Sequence, residues 1–365
     1  MNVPKLRFKE FNDNYLRLKY KDVLKIKSGK DQKQVECENG IYPILGTGGQ
    51  IGKTNSFLYD KPSVLIGRKG TINKPQYMET PFWTVDTLFY SHIYEPNIPK
   101  YLFYSFQNVN WRKYDESTGV PSLSSSTIEG VDCNIPSKEE QLKVAYFLSL
   151  LDKKIELQSK KIEDLKLFKL YLQNKLYNAN DTKDVLIKDL GEIVTGTTPS
   201  KSENKYWDNG NILWITPTDI CENRDINDCS CKLTESGLAK GRFIPKNSIL
   251  VTCIASIGKN AIIKEDGSCN QQINAIIPSK DYNYNYIYYM IENLSNYMKS
   301  IAGTSATAII NKEQFGNINI KIHKREVQDK ISKILNAFET KIIQEGFKYK
   351  KLQNLKKGLM QNMFV

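Results

Sequence analysis

Histidine is nearly absent from this chain, whose 365 residues include only His92 and His323. Two isolated histidines argue against Ser/His or Cys/His nucleophilic catalysis and against a histidine-containing metal site. The seven cysteines are an odd number and form no disulfide-like framework. Cys229 and Cys231 are close in sequence, but no second pair completes a zinc site. We therefore expect no metal ligands, no disulfides and a reducing, cytoplasmic environment.

Long apolar runs are also missing, so no segment is predicted to span a bilayer. The first ten residues, Met1 to Glu10, carry three basic residues but no apolar signal core. The sequence has no Asn-Pro-Pro-aromatic stretch suited to amino-methylation and no recognisable glycine-rich methyl-donor loop. Together these absences favour a protein that binds without chemistry of its own.

Two partial motifs suggest catalysis but do not fit it. Gly46 to Thr54 resembles a phosphate-binding loop, yet five or three residues precede the Gly-Lys pair where four are needed. A glycine-rich turn is the better interpretation. Glu203-Asn204-Lys205 could end a metal-dependent nuclease site, but no convincing acidic strand position precedes it. A stand-alone nuclease using Glu203, Lys205 and a further acid is kept as an alternative.

The charge of the chain is strongly basic, with a formal net charge of +12. Such a balance predicts a polyanionic partner. Residues 137–178 contribute +3 and residues 323–365 contribute +6, whereas residues 1–136 contribute +4 and residues 179–322 contribute −1. Most of the excess therefore lies in two segments. A lysine-rich helix face that is simply solvated and one that faces phosphates both remain open.

The sequence repeats itself. Lys21-Asp22-Val23 resembles Lys188-Asp189-Leu190 at an offset of 167, and Ser63 to Ile66 resembles Ser248 to Val251 at 185. The growing offset indicates about twenty extra residues near the start of the second copy, with Lys201 to Asp225 as the expected insertion. The chain is thus predicted to be an internal duplication of a globular segment followed by a helix.

The two repeated helices each carry a coiled-coil seam. Apolar residues recur at alternating three- and four-residue steps, which is the spacing of such a seam. The seam of the first helix, Ser137 to Tyr177, has polar residues at two positions, and an offset of 187 reproduces both the seam and its exceptions in the second helix. The seam positions are Leu148, Leu151, Ile155, Gln158, Ile162, Leu165, Lys169, Leu172 and Leu176, and then Leu335, Phe338, Ile342, Glu345, Tyr349, Leu352, Lys356, Leu359 and Met363.

These polar seam positions predict a register for an antiparallel pair. If the numbers of facing residues sum to 514, Lys169 meets Glu345 and Gln158 meets Lys356, so every polar position faces another. A slide of one heptad would set charges against apolar residues, at a cost of several kcal/mol. The alternative is that the helices are separate and each packs on its own domain.

The fold expected is α/β (α+β), duplicated, with two long antiparallel coiled-coil helices joining the copies. β-branched runs bounded by turn residues predict strands, and tyrosines at helical spacing predict short helices at Tyr101 to Asn110 and Tyr286 to Tyr297. The predicted strands are Ile41 to Leu45, Ser63 to Ile66, Thr84 to Tyr90, Ile212 to Ile215, Ser248 to Ile254 and Ala261 to Ile263. The predicted segments are a globular domain at 1–136, a central helix at 137–178, a second globular domain at 179–322 and a C-terminal helix at 323–365. Residues 178–183 are the expected linker.

Side chains in loops after strands are the candidates for reading DNA bases. Arg and Lys read guanine in the major groove, and Asn and Gln read adenine. Tyrosines such as Tyr286 and Tyr289 could stack on bases, but their helical spacing favours core packing. The candidates are Arg68, Lys69, Thr71, Lys74, Lys205, Thr218, Ser256, Lys259, Asn260, Gln271 and Gln272.

Several motifs resemble a known family. The entry to the first long helix, Ile135-Pro136-Ser137 with Glu139 and Gln141, resembles one conserved region, and Ile322 with Glu326 and Gln328 resembles a second. In the second region His323-Lys324 replaces the usual proline-rich entry. The motifs Gly196 to Pro199, Tyr206-Trp207, Trp214-Ile215 and Thr218-Asp219 resemble the opening of a target-recognition domain. The family is that of the DNA-specificity subunits of type I restriction–modification systems, and the likeness covers essentially the whole length.

This resemblance implies two target-recognition domains, each reading half of a split double-stranded DNA target. The helices would then set the gap and dock two modification (methyltransferase) subunits. S-adenosylmethionine would act in those subunits, and ATP and Mg²⁺ in ATP-driven restriction subunits, with no cofactor in this chain. Beside this non-catalytic binding function stand the nuclease and a protein-binding two-domain adaptor.

Overall fold

Paired strands occur in two similar sets along the chain. The computed structural model describes residues 3–177, 181–220, 224–303 and 308–364. It divides into unit 1, Met1–Lys160 with Phe347–Val365, and unit 2, Lys161–Gly346. The boundary between the units falls within both long helices. Part of the expected linker, residues 178–180, lies outside the described residues.

Unit 1 contains nine strands and three short helices before the first long helix begins. Its strands and helices are β1 (Leu16–Lys19), α1 (Tyr20–Val23), β2 (Leu24–Lys27), β3 (Tyr42–Gly46), β4 (Gly49–Thr54), β5 (Ser63–Gly67), β6 (Gln76–Met78), β7 (Trp83–Thr84), β8 (Leu88–Ile93), α2 (Pro99–Asn108), a 3₁₀ turn (Trp111–Tyr114), α3 (Ser125–Gly130), β9 (Asp132–Ile135) and the long helix α4 (Lys138–Tyr177), which continues into unit 2.

Three sheets organise unit 1. Strands β2, β8, β5 and β6 form a four-stranded antiparallel sheet in that order, and β4, β3 and β7 form a smaller sheet. Strand β1 pairs with β9. The largest core lies between the four-stranded sheet and α2, where Tyr101 and Tyr104 are fully buried. The predicted strand at Thr84 to Tyr90 covers the end of β7, the loop 85–87 and the start of β8, so two strands occur where one was predicted.

Unit 2 has the same plan with one added strand. Its strands and helices are β10 (Thr182–Leu186), a 3₁₀ turn (Ile187–Leu190), β11 (Gly191–Thr195), a 3₁₀ turn (Asn204–Tyr206), β12 (Ile212–Ile215), β13 (Asp225–Ile226), β14 (Lys232–Leu233), α5 (Glu235–Leu238), β15 (Ile249–Thr252), β16 (Asn260–Ile263), β17 (Gly267–Cys269), β18 (Ile273–Pro278), α6 (Tyr284–Ile301), α7 (Lys312–Gly316), β19 (Asn319–His323) and the long helix α8 (Arg325–Met363), which continues into unit 1.

The sheets of unit 2 match those of unit 1. The order β11, β18, β15, β16 repeats the four-stranded sheet, β14, β12 and β17 repeat the three-stranded sheet, and β10 pairs with β19 as β1 pairs with β9. Strand β13 adds a fifth strand beside β16. Tyr286 and Tyr289 are fully buried under this sheet. The predicted core role of these tyrosines is therefore confirmed, and they are not a stacking platform.

The position of the insertion differs from the prediction. Leu45 pairs with Thr84 in unit 1, and Ile215 pairs with Cys269 in unit 2, so Ile215 takes the place of Leu45 at an offset of 170. The offset reaches 185 at Ser248, and the extra residues therefore lie after Ile215. The predicted range, 201–225, overlaps them only in part, because sequence likeness alone could not show which strand was equivalent to β12.

A glutamine side chain near the start of each long helix forms hydrogen bonds with the preceding part of the unit. The Gln141 carboxamide accepts from the Ile98 amide and donates to the Pro136 carbonyl. Gln328 repeats both bonds in unit 2, with Asn283 and His323. These bonds tie the start of each helix to the start of α2 or α6. The Glu140 amide donates to Ser137 Oγ as in a helix N-cap, and the Glu140 carboxylate accepts from Arg7 and Tyr15.

The predicted seam positions are less exposed to solvent than most other positions of the two long helices. Along α4 and α8 every predicted seam position is buried or half-buried, while most positions between them are exposed. In unit 2 the salt bridges of Lys161 to Glu345 and Lys169 to Glu339 show that the two helix segments run antiparallel. The prediction that the helices pair is therefore confirmed within this unit.

The predicted register is wrong by about one heptad. Lys169 Nζ lies 2.7 Å from Glu339 in unit 2, and Lys356 Nζ lies 2.6 Å from Asp152 in unit 1. Both pairs have position numbers that sum to 508 rather than 514. Glu345, the partner expected for Lys169, instead binds Lys161 and Lys341.

Contacts from outside the helix pair explain this error. Lys169 also lies 3.2 Å from Glu292 and 4.9 Å from the centre of the Tyr289 ring, both on α6. Lys356 donates to Gln107 and lies over the Tyr104 ring in the equivalent position of unit 1. A polar seam residue therefore does not need a polar seam partner, because the globular part of each unit supplies one.

Two further expectations concern the chain as a whole. None of the described helices is long and apolar enough to cross a membrane. The six cysteines within the described ranges are free.

Candidate nucleic-acid interface

The carboxyl ends of two parallel strands meet at one edge of unit 2. Strand β12 runs parallel to β17, with Ile215 opposite Cys269. The Asn270 amide then donates to the Ile215 carbonyl at 2.9 Å. The loops that follow the two strands, residues 216–219 and 270–272, therefore lie side by side. They carry the candidates Thr218, Gln271 and Gln272.

Two further loops join this edge. The Thr197 amide donates to the Cys269 carbonyl, and the Cys253 amide donates to the Gln272 carbonyl, both at 2.9 Å. We call the loops 196–200, 216–219, 253–259 and 270–272 the unit 2 loop edge. The candidates Ser256 and Lys259 belong to the third of these loops, so the structure gathers five of the predicted unit 2 residues.

Internal hydrogen bonds hold the unit 2 loop edge in shape. The Thr198 hydroxyl donates to the Gln271 side chain at 2.5 Å, and the Trp214 indole donates to the Thr197 carbonyl. Asp219 accepts from the amides and hydroxyls of Thr216 and Ser230. Burial opposes the charged form of Asp219, but these bonds outweigh it and hold its pKa below the ordinary value. The loop 216–219 is thus preorganised around an ionised carboxylate.

Unit 1 builds the equivalent edge. The Val85 amide donates to the Leu45 carbonyl, and the Arg68 amide donates to the Thr87 carbonyl at 2.8 Å. The Gln76 side chain donates to the Gly46 carbonyl. We call the loops 46–49, 68–75, 85–87 and 115–124 the unit 1 loop edge. The glycine-rich stretch begins with the turn between β3 and β4 at residues 47–48, as interpreted, and its remainder is strand β4.

Basic side chains are exposed on the unit 1 loop edge. Arg68, Lys69 and Lys74 are exposed, and Thr71 is half-buried beside them. Among the described residues these three cations take part in no ion pair, and neither does Lys259 on the unit 2 loop edge. An uncompensated cation on a rigid loop can approach a phosphate or a guanine edge without first breaking an internal salt bridge.

The fourth loop of the unit 1 loop edge is braced by two acids. Asp115 accepts from the amides of Ser122 and Ser117 and from the Ser117 hydroxyl, and these bonds lower its pKa. The Thr127 and Ser124 hydroxyls lower the pKa of Glu116 in the same way. The Leu123 amide joins this loop to Arg68 by donating to its carbonyl. Residues 115–124 therefore support the loop that carries the basic side chains.

One predicted base-reading residue is not placed to read bases, and another lies outside the four loops of the unit 2 loop edge. Asn260 is buried, and its side-chain nitrogen donates to the Tyr288 carbonyl at 2.8 Å, so it joins β16 to α6. Lys205 lies beside the beginning of β12, since its carbonyl accepts from Thr234, which follows the partner of Ile212. Thr218 follows the other end of that strand. The sequence shows only a polar residue in a stretch typical of a loop, and this does not distinguish Asn260 and Lys205 from residues of the unit 2 loop edge.

The sequence also contained a signal for residues that the candidate set missed. The unit 1 counterparts of Gln271 and Gln272, at the offset of 185, are Asp86 and Thr87. They lie in the loop 85–87, and Asp86 is exposed. Applying the repeat to the candidates themselves would have found both. Thr198 and the loop 115–124 had no comparable signal, because their positions depend on the folded strands.

The nuclease alternative gains no geometric support. The Lys205 amine lies 3.2 Å from the Glu203 carboxylate, and this hydrogen bond raises the pKa of Lys205. In the ranges that the structure describes, no cluster of three His, Cys, Asp or Glu side chains could hold a metal ion.

Two α/β units with equivalent loop edges, and two long helices that enter both units, define a duplicated recognition module of the specificity-subunit type. The family model for the type I restriction modification DNA specificity domain matches residues 12–167 and again residues 180–354. The chain therefore belongs to this family, and each of the two matches covers one copy of the internal duplication.

Individual relatives agree with this assignment. The chain is 32% identical over 185 residues to the type I restriction enzyme MjaIX specificity subunit of Methanocaldococcus jannaschii, covering 49% of this chain and 43% of the relative. It is 34% identical over 166 residues to the EcoR124I/EcoR124II specificity subunit of Escherichia coli, covering 42% and 40%. These matches thus span about two fifths of each relative's length.

A solved structure resembles the whole fold. The S subunit of a type I restriction–modification system from M. genitalium superposes with a TM-score of 0.69 at 16% identity, covering 100% of this chain and 99% of that one. At this identity the likeness concerns the fold, and it confirms the predicted architecture of duplicated α/β domains with long helices.

Proposed function

We propose that this chain is the DNA-recognition subunit of a type I restriction–modification complex, in which each unit reads one half of a split double-stranded target. The observation that carries the proposal is the repeated loop edge. Both units bring the ends of equivalent strands together, and both present exposed polar or basic side chains there. Two similar reading surfaces in one chain suit a target with two specified parts.

The long helices would set the gap between the two half-sites and dock two modification subunits. Their lengths, 40 and 39 residues, suit a spacer. Helix α4 also carries large exposed apolar side chains, which on a soluble helix are typical of a protein-binding face. They are Leu142, Tyr146, Phe147, Leu150, Leu157, Leu167, Phe168, Leu170 and Tyr171.

The chemistry would then reside outside this chain. S-adenosylmethionine would be bound by the modification subunits, and ATP with Mg²⁺ by the restriction subunits. The chain itself would contribute positioning without catalysis. Incubating the purified chain with plasmid and Mg²⁺ should leave the DNA intact. Cleavage that disappears in Glu203→Ala would support the nuclease instead.

Methylation mapping of the host genome tests the proposal directly. Deleting the gene for this chain should remove methylation from one split motif, with two specified blocks separated by a fixed gap. Loss of methylation from a continuous motif would contradict the model of two readers. No change in any motif would exclude a role in modification.

Arg68→Ala should relax sequence preference in one half of the target and leave the other half unchanged. Each base-contacting arginine typically contributes about 1–3 kcal/mol of discrimination, a factor of about 5 to 150. Binding to duplexes that carry single substitutions in either half measures the effect. Lys21→Ala is the control and should not alter preference, because Lys21 is exposed on α1 before β2, whereas the chain reaches the unit 1 loop edge only after β2, where Gly29 approaches Val85. An equal loss of affinity for every sequence would mean that Arg68 contacts phosphate.

A further inference from the structure

A basic cleft lies below the unit 1 loop edge. It has a volume of about 600 Å³ and opens between loop 73–75, the end of α2 and the unit 1 segments of both long helices. Its polar lining includes Lys74, Gln107, Asp152, Lys356 and Lys357. We call it the unit 1 cleft. Because Lys74 belongs to both features, the cleft is continuous with the loop edge.

Unit 2 has an equivalent but smaller cleft of about 310 Å³. The internal repeat relates its lining to that of unit 1, with Glu339 in the place of Asp152 and Lys169 in the place of Lys356. In each cleft this lysine pairs with this acid. The duplication therefore supplies an internal comparison, in which the clefts differ by the side chains that have diverged and by the loop 73–75, which lines the unit 1 cleft alone.

The divergent side chains give the two clefts different charges. Gln107 of unit 1 corresponds to Glu292 in unit 2, Lys357 to Leu170 and Gln353 to Lys166, and Lys74 lines the unit 1 cleft without a counterpart in the lining of the unit 2 cleft. The unit 2 cleft contains Lys166 and Lys169 against Glu292 and Glu339, and it is neutral overall. The unit 1 cleft contains three lysines against one carboxylate, a net charge of +2.

The basic residues of the unit 1 cleft remain available. Asp152 is held by Lys356 and by the Tyr104 hydroxyl, which donates at 2.7 Å. Lys74 and Lys357 are exposed and, among the described residues, have no ion pair. The amide of Gln107 adds a neutral polar group. Lysines interspersed with amides are the side chains that position DNA by its phosphates.

We propose that the unit 1 cleft binds a phosphodiester of the DNA backbone next to the half-site read by unit 1, and that the unit 2 cleft binds none. This inference rests on the proposed function. Arg68 and Lys74 belong to the same loop of the unit 1 loop edge, and Lys74 and Lys357 line the same cleft. The contact orients the duplex on the loop edge and carries no sequence information.

Salt dependence of DNA binding by the full chain tests this site. Each phosphate contact adds about 0.9 to the slope of log K against log salt. Lys357→Leu and Gln107→Glu, which copy the unit 2 side chains, should each lower the slope by about one and weaken binding three- to tenfold. Sequence preference should stay unchanged. Lys166→Ala in the unit 2 cleft is the matched control and should leave the slope unaltered.

Three results would overturn the proposal. One is a slope that Lys357→Leu leaves at the wild-type value, and another is an equal fall in Lys166→Ala. The third concerns inorganic phosphate added at constant ionic strength. If phosphate stabilises the wild-type chain but not Lys357→Leu, and both have the same salt slope for DNA binding, the cleft is a site for a free anion. Failure of the proposed function is distinguishable, because the wild-type chain would then bind DNA without sequence preference whatever Lys357→Leu does to the slope.

Discussion

Gly29→Ala should destabilise unit 1 and abolish reading of one half-site. A Cβ at Gly29 would lie 2.0 Å from the Val85 carbonyl oxygen and 2.6 Å from that of Thr84. Both contacts are with backbone atoms, one in the loop 85–87 and one at the end of β7 next to it, so relief requires this backbone to move. We expect a loss at or above the upper end of the roughly 1–3 kcal/mol typical of overpacking. Thermal unfolding and half-site binding measure the two effects.

The internal repeat provides the second arm of this test. A Cβ at Gly196 would lie 2.1 Å from the Asn270 carbonyl oxygen and 2.2 Å from that of Cys269, the counterparts of Val85 and Thr84. Gly196→Ala should therefore destabilise unit 2 and abolish reading of the other half-site.

Gly48→Ala is the control for both substitutions. Gly48 lies on the unit 1 loop edge, and a Cβ there meets no atom within 4 Å. If the Gly29→Ala and Gly48→Ala variants have the same melting temperature, the close approach at Gly29 does not constrain the loop 85–87. Loss of both half-sites in each single variant would contradict independent reading by the two units.

The sequence predicted the architecture because the relevant signals are periodic and repeated. The predicted helix from Ser137 to Tyr177 matches α4 to within one residue at its start, and strand β12 was predicted with its observed bounds. These patterns depend on which faces of a helix or strand are buried, and the internal duplication shows each pattern twice in one sequence. The insertion was misplaced because the equivalence of β12 and β3 is recognisable only from strand pairing. Ile215 and Leu45 are equivalent because they pair with the equivalent residues Cys269 and Thr84.

The sequence predicted the types of residue found on the loop edges but not which of these residues lie close together. Thr218 and Gln271 are 53 positions apart and lie on the same edge because β12 and β17 are parallel neighbours. Asn260 has the same chemistry as an adenine reader, yet α6 covers it. Whether a polar side chain faces water or a carbonyl depends on tertiary packing, which one sequence does not encode locally.

Lys169→Met should destabilise unit 2 by about 2–3 kcal/mol. The substitution leaves Glu292 and Glu339 beside each other without a cation. Removing one partner of a buried pair costs roughly 3–5 kcal/mol. The expected value is lower because Glu292 is 38% exposed and partly screened by water, whereas the side chains of Lys169 and Glu339 are only 10% and 16% exposed. Thermal or denaturant unfolding of the full chain measures the change.

The double variant distinguishes the two registers. In the observed register, Glu339→Gln removes the carboxylate that Lys169→Met leaves unpaired, so the two changes should couple by about 1–2 kcal/mol. Glu345→Gln should add independently to Lys169→Met, because Glu345 binds Lys161 and Lys341. Coupling to Glu345 without coupling to Glu339 would restore the register that sums to 514. The same cycle on Lys356 and Asp152 should give coupling of similar size in unit 1, since duplication has preserved the pair at both ends of the seam.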